Sequence, residues 1–567
     1  MLLEFALSLL VFFTTTFGLA WPWVARLMLD PAEKICATAV LSLLGTYLAA
    51  FAIYVLGLPA TAFWALPGLA FIGLITSRRL LVALLGDPDA QAMLIGQLLL
   101  AGWCVGWLAC VASYSGGGWT ADWFEHWERT LFFLGRWPHD FKFLGFAALP
   151  ARPPLANLVT GALLSVSGVN FAGYQLITTL LNSLVFLPAA LLARRFWPRP
   201  GSGRIVIAVL TVLLMLNPSF VENATFAWTK LIAAFFILSG LYFFLRAHDP
   251  AAPAGAGPLC AASLAAGILA HYSAGPYVLL LATAWLGLNF PRWREPAYWG
   301  QTARLGLIGG LILATWFGWS LASYGTDTTL FSNSSVAVPE ARQGNQLLKI
   351  ALNLRDTVVP HFLRAVDPEL ITQRSSWSHA RDWFFQLYQV NLLFAFGSVA
   401  WLAIANQLLR DGTTAPGRTR TFWIWFVGGA VLLGVAVHGA SDHWGLTHIC
   451  LQSLVVLGLA FLASRWPDLG RGWRRALIAG AAVDFCLGIA LQFAAQSQTP
   501  DLAMALGRAP AGTLSWYNGC AVMNLAGKLQ HHLAFFSDAL AVPVALLPVL
   551  LAGVLFLALR RTRASSG

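Results

Sequence analysis

The sequence predicts an all-α polytopic membrane protein with about 13 to 15 transmembrane helices, and three observations carry that prediction. The 567-residue chain is 58% hydrophobic and only 10% charged, with 25 Trp and 38 Phe, more apolar surface than a soluble domain of this length buries in its own core. Apolar runs of roughly 17 to 25 residues, the length that crosses about 30 Å of hydrocarbon, recur along almost the whole chain. Basic residues also alternate by loop: one set of loops holds 22 of the 35 Lys and Arg against 8 of the 24 Asp and Glu, the bias that marks the cytoplasmic side. The net charge of +11 is therefore read as cytoplasmic loops and not as a groove for nucleic acid.

Residues 1–90 contribute extra N-terminal helices, with apolar runs at about 3–22, 35–57 and 60–76. The first run lacks a basic lead and an Ala-x-Ala cleavage site, so it is expected to stay as a span. A second block, 91–323, has runs at about 91–114, 173–193, 205–220, 225–246, 258–272, 274–290 and 304–323, and includes a first outer loop at 115–155. Segment 155–170 is too short for an upright span, and a crossing there would invert every later loop. It is expected to be interfacial or re-entrant. A second outer loop, 324–386, leads to runs at about 387–409, 421–438, 446–464 and 475–495 within the block 387–495; a third outer loop, 496–540, precedes a last helix and basic tail at 541–567. Seven cysteines without a CxxC pair give no disulfide framework and no thiolate zinc site. No soluble domain, coiled coil or internal repeat stands out.

The loop 115–155 poses the functional question, because it places Asp122, Glu125, His126, Glu128 and Arg129 within eight residues of an otherwise apolar chain. As a helix, "ADWFEHWERTLFFLG" aligns Trp123, Trp127, Leu131 and Leu134 in an apolar stripe and leaves the charges on other faces. That pattern predicts an amphipathic helix lying on the bilayer surface, its tryptophans at headgroup depth. Asp122 then either caps the helix, with Glu125 decorating its polar face, or belongs to a reaction site.

The stretch that follows tips the balance. "ARPPLANLVTGALLSVSGVNFAGYQLITTLLNSLVFLPAALLARRF", residues 151–196, resembles the segment after the first extracytoplasmic loop of the GT-C glycosyltransferases: a basic residue, two prolines and a leucine, a short apolar helix, a glycine, then a long span ending in basic residues. "IAVLTVLLMLNPSFVENATFAWTKLIAAFFILSGLYFFL" and "AASLAAGILAHYSAGPYVLLLATAWLG" are similar to the family's next two hairpins, and "HWGLTHICLQSLVVLGLAF" to its late span. The resemblance covers roughly residues 91–465 and is to the transferases that use polyprenyl-phosphate sugars, such as the protein O-mannosyltransferase and aminoarabinose transferase group.

This resemblance implies a GT-C-like helical bundle. It also implies transfer of a sugar from a polyprenyl-phosphate-linked donor to a glycan, lipid or protein acceptor on the extracytoplasmic face, with an acidic residue of the first outer loop as general base. Asp122 stands at the matching place, and Glu125 and His126 are its nearest competitors. Where many relatives carry an Asp, this chain has Thr229 and Lys230; where many carry Lys, it has His271 in "LAHYS". The donor's sugar is therefore left open.

Such a reaction needs a base for the attacking hydroxyl and cations for the phosphate that leaves. Arg152, Lys230, His271, Arg355 and Arg364 are the cations expected near the outer surface. Arg152 sits in "ARPPL", where two prolines stiffen the chain and a guanidinium fork suits phosphate oxygens; the alternative is an interfacial arginine that snorkels to the headgroups. Lys230 lies in an apolar run eight residues after Glu222, which on one helix would put them about 12 Å apart. It is either a functional charge or a lysine snorkelling outward beside Glu222. His438, Asp442, His443 and His448, in "VHGASDHWGLTH", can hold a divalent cation (Mg, Mn or Zn) or be hydrated by water. The protein is expected in the bacterial inner membrane with its site facing the periplasm or exterior. A transporter or flippase of a lipid-linked saccharide, or a non-catalytic scaffold of the same fold, are the alternatives.

Overall fold

A computed structural model describes residues 2–111, 122–143, 145, 147–196, 203–333, 344–358, 396–411, 417–437 and 450–494. Described residues fold into helices joined by short turns, with one isolated β-bridge, Phe143 to Ala147, among them. The expected all-α polytopic class is therefore borne out. Eight described helices are long and apolar enough to span a bilayer, or up to ten if two bent pairs each count once, and four shorter apolar helices accompany them.

The bend at 216–217 interrupts the run expected over 205–220, whereas the bend at 77 falls at the end of the expected run 60–76. Ala60–Thr76 and Arg78–Gly86 meet at 72°, and Gly203–Met215 and Pro218–Thr225 at 71°. Sequence chemistry explains the second: Asn217 precedes Pro218, a position biased away from the helical region, and its Oδ1 accepts from Phe220 N at 2.8 Å to start a new helix. Every residue of Pro218–Thr225 is buried. The next helix begins only at Lys230, so Glu222 and Lys230 do not share a helix, and the single-helix separation expected for them does not apply. Pro296–Phe331, expected as 304–323, runs 36 residues but breaks at Gly325, whose φ of 75° is not helical.

Leu155–Ser167 falls in the segment expected to be interfacial or re-entrant. All of its residues except Ser165 are buried, so it is enclosed by protein.

One end of the bundle gathers the arginines of the short loops. Arg194 pairs with Asp89 at 2.7 Å and Arg195 with Asp249 at 2.7 Å. Arg246 Nε donates to Glu33 Oε1 at 2.9 Å, and Tyr242 Oη donates to the same oxygen at 2.7 Å. Buried Glu33 thus ties Pro31–Val55 to Lys230–Ala247. Since helices run from this end to the other, the C-terminus of Pro88–Leu108, the helix Asp122–Gly135, the turn at His271 and the start of Lys230–Ala247 collect at the opposite end.

Candidate functional site

The helix Asp122–Gly135 is held by its aromatic residues. Trp127 meets Phe171 and Tyr174 at ring-centroid distances of 5.8 and 5.0 Å, Phe132 meets Phe143 at 5.5 Å, and Phe133 meets Tyr54 at 5.1 Å. Its charged residues are buried as well: Glu125 is 3%, His126 1% and Arg129 1% exposed. The surface-lying amphipathic helix expected from the sequence is therefore corrected, since its polar face points into the protein. The cause is the segment 148–154, which folds back over that face and supplies backbone acceptors.

Arg129 shows how such burial is tolerated. Its Nε and Nη2 donate to Glu125 Oε1 at 2.9 and 2.7 Å, its Nη1 to Leu149 O at 2.6 Å and its Nη2 to Ala148 O at 3.0 Å. The guanidinium also lies 4.3 Å from the centroid of the Phe143 ring. Arg152 reaches the other carboxylate oxygen, Nε to Glu125 Oε2 at 3.5 Å, with its side chain 21% exposed. Burial would raise the Glu125 carboxyl, but Arg129 and then Arg152 outweigh it and hold the group down at about 2. Glu125 is ionised and fully engaged.

His126 is lowered too, which keeps its ring neutral. Burial is the main cause, and Arg152 and Arg129 add to it against the pull of Glu125, so its pKa falls to about 3. Its Nδ1 lies 3.3 Å from Asn157 Oδ1, and its Nε2 is buried with no partner.

Three further elements converge here. Lys230, 3% exposed, holds its Nζ 3.7 Å from the centroid of the Trp228 ring. His271, 9% exposed, lies between two helices, accepts from Ser273 N through Nδ1 at 3.1 Å and has a buried Nε2 without a partner. Arg152, Lys230 and His126 all act electrostatically on His271. Hydrogen bonds brace the set: Tyr272 Oη donates to Pro150 O at 3.0 Å, Trp316 Nε1 donates to Tyr272 Oη at 3.1 Å, and Cys450 Sγ donates to Lys230 O at 3.0 Å.

Of the site residues expected from the sequence, Glu125, His126, Arg152, Lys230 and His271 are thus brought together. Asp122 opens the helix that carries Glu125 and His126; its side chain lies outside the described residues. Glu222, 1% exposed, accepts from Gln492 Nε2 at 3.0 Å. Arg355 is exposed on the helix Gln346–Val358. Arg364, His438, Asp442, His443 and His448 lie outside the described residues. Among the described residues no three His, Cys, Asp or Glu side chains gather as a metal site would require. Sequence reasoning missed Asn157, Trp228 and the pairing role of Arg129. The last had a signal, the i,i+4 spacing from Glu125.

No protein-family model matches the chain, and no curated protein does. Among solved structures the chain is similar to two crystal structures of ArnT from Cupriavidus metallidurans. One is bound to undecaprenyl phosphate, with 16% identity, a TM-score of 0.48 and coverage of 82% of this chain and 78% of that one. The other is the apo state, with 16% identity, a TM-score of 0.44 and coverage of 78% and 75%.

Proposed function

We propose that this chain is an integral membrane glycosyltransferase of the bacterial inner membrane, moving a sugar from a polyprenyl-phosphate donor to an acceptor on the extracytoplasmic face. One observation carries the reading: Arg152, Lys230, His126 and His271 converge from separate elements on one largely dehydrated place, at the end of the bundle opposite the paired arginines. A lipid-linked phosphate brings oxygens that suit a guanidinium and an ammonium, and the buried Nε2 of His271, whose Nδ1 accepts from Ser273 N, is a partnerless donor beside them.

In the proposed reaction the acceptor's hydroxyl oxygen attacks C1 of the sugar. The bond from C1 to the phosphate oxygen breaks and its electron pair stays on that oxygen, where Arg152 and Lys230 stabilise the charge. The hydroxyl's proton passes to the carboxylate of Asp122. Two facts support Asp122 over Glu125 in that role: Glu125 has its Oε1 taken twice by Arg129, and a carboxylate held at about 2 is a weak base. Glu125 is better read as a positioning residue that aims Arg152.

The test is to supply purified protein with polyprenyl-phosphate sugars and an envelope acceptor fraction and to follow release of the lipid phosphate. Turnover is expected, and Asp122→Asn is expected to cut it by about a hundredfold to ten-thousandfold with folding intact. A donor that is never consumed points to a transporter or scaffold, and near-normal turnover by the variant removes Asp122 from the role.

A further inference from the structure

The phosphate reading leaves a cavity unused at the other end of the bundle. About 500 Å³ in volume, within the roughly 300–1,000 Å³ of ligand pockets, it lies between the helix Gly275–Leu288 and the consecutive segments Gly417–Trp423 and Ile424–Gly428. Thr283, Gly287 and Leu288 line one wall, Phe422 and Trp425 the other. Two contacts fix its place. The ring of Phe422 stacks on Phe244, two residues before Arg246, at a centroid distance of 5.6 Å, and Asn289 Nδ2 lies 3.3 Å from His248 Nε2. The cavity therefore sits beside the paired arginines, in the leaflet that the loop charges assign to the cytoplasm.

Towards His271 the cleft is closed. A Cβ at Gly429 would stand 2.6 Å from Leu280 Cδ2, and Trp425 Nε1 donates to Leu280 O at 3.2 Å, so the two helices touch there before they part. That contact gives the tail of a lipid held at the phosphate site no path along this cleft. Further on, Gly287 keeps the cleft open, since nothing lies within 4 Å of where its Cβ would stand. Polar atoms of the walls are already engaged: Thr283 Oγ1 donates to Leu279 O at 2.9 Å, and Trp425 Nε1 to Leu280 O. Such walls suit hydrocarbon. Hydrocarbon alone confers no preference, however, because the bilayer interior is as apolar as the cleft, so a preferred occupant has to be held by its head. Two further lining residues, Pro291 and Thr421, each adjoin an exposed arginine, Arg292 and Arg420. Exposed Trp293 and Trp299 near Arg292 mark headgroup depth. Arg292 Nε donates to Glu295 Oε2 at 3.0 Å, which partly neutralises it and leaves Arg420 the larger share.

We propose that this cleft holds an acyl chain of one anionic glycerophospholipid from that leaflet, with the head's phosphate at Arg420 and, less strongly, Arg292. A zwitterionic head brings an ammonium against the same arginines and is held less well. The site is separate from the donor site and does not depend on the transferase reading.

The experiment gives the full-length protein, in detergent micelles, a phosphatidylglycerol with a photoreactive acyl chain and maps the cross-linked peptides. Labelling is expected on 283–291 and 421–425. Unlabelled phosphatidylglycerol is expected to compete about fivefold to thirtyfold better than phosphatidylcholine, the worth of one or two arginines beside an anionic head. Arg420→Gln should remove most of that preference. Gly287→Leu, which fills the cleft where there is room, should suppress the labelling severalfold while thermal stability holds. Equal competition by the two phospholipids overturns the inference. So does stronger competition by polyprenyl phosphate, which would make the cleft a seat for the donor's tail, and so does labelling that is absent from these peptides or unchanged in Gly287→Leu.

Discussion

The two ends of this bundle use the same side chains in opposite ways. At the end that gathers Arg194, Arg195 and Arg246, each guanidinium meets a carboxylate: Asp89, Asp249 or Glu33. Arg194 and Asp89 are 26% and 29% exposed and Arg195 and Asp249 29% and 27%, so water carries much of their charge, while buried Glu33 has its Oε1 taken by Arg246 and Tyr242. At the other end Arg129, Lys230, His126 and His271 are at least nine-tenths buried, and two imidazole nitrogens remain without a partner. Satisfied, wet ion pairs orient and anchor a membrane protein. Dry ones with leftover polar atoms are where a ligand is expected.

That contrast can be broken by mutation, most strongly at the dry end. Arg129→Met leaves Glu125 as a buried carboxylate without its main partner, and a loss of about 3 to 5 kcal/mol is expected, read by thermal or denaturant unfolding in detergent. A loss no larger than that of a surface pair would show that the dry end is wetter than its geometry indicates. Replacing both partners, Glu125→Leu with Arg129→Met, is expected to recover stability to within about 1 to 2 kcal/mol of the parent. Transfer activity is not expected to recover, because Arg152 loses the carboxylate that aims it. Recovery of both together would demote the pair to packing alone.

Acid sharpens the comparison with a smaller effect. His126 is held neutral down to about 3 from an ordinary value of 6.5, so the unfolded chain takes up its proton first and stability falls as pH drops below 6.5. Glu125, lowered from 4.5 to about 2, contributes stability that is complete above 4.5 and lost as pH falls through 2. Unfolding followed from pH 7 to pH 4 should therefore show a decline that starts near 6.5 and is blunted in His126→Gln; an identical decline in that variant would assign it to other groups. The smallest effect belongs to the wet end, where Arg194→Ala is expected to cost less than about 1 kcal/mol and to leave transfer unchanged.

Much of the architecture was legible because the bilayer imposes run lengths and loop charges that a sequence displays directly. The bend at Pro218 was less so. Its signal, Asn217 before a proline, was present, but apolar length alone reads through it as a longer span. The helix Asp122–Gly135 was anticipated as a helix and misjudged in its surroundings. Periodicity reports which residues share a face and cannot say what covers it; here the cover is the backbone of Ala148 and Leu149, whose carbonyls receive Arg129. Arg152 and Lys230 were named from their residue types and their places beside apolar runs, and His271 from the place where many relatives carry Lys. Asn157 was not, because a single amide in an apolar helix looks the same whether it orients a neighbour or faces lipid.

The central claim is that the dry end grips a lipid-linked phosphate, and titration with a short-chain polyprenyl phosphate tests it most directly. Arg152→Ala and Lys230→Ala are expected to weaken binding by about tenfold to a hundredfold each, the worth of a charge-assisted hydrogen bond, while Arg194→Ala binds as the parent does. Equal affinity across all three variants, or a loss confined to Arg194→Ala, would contradict the account.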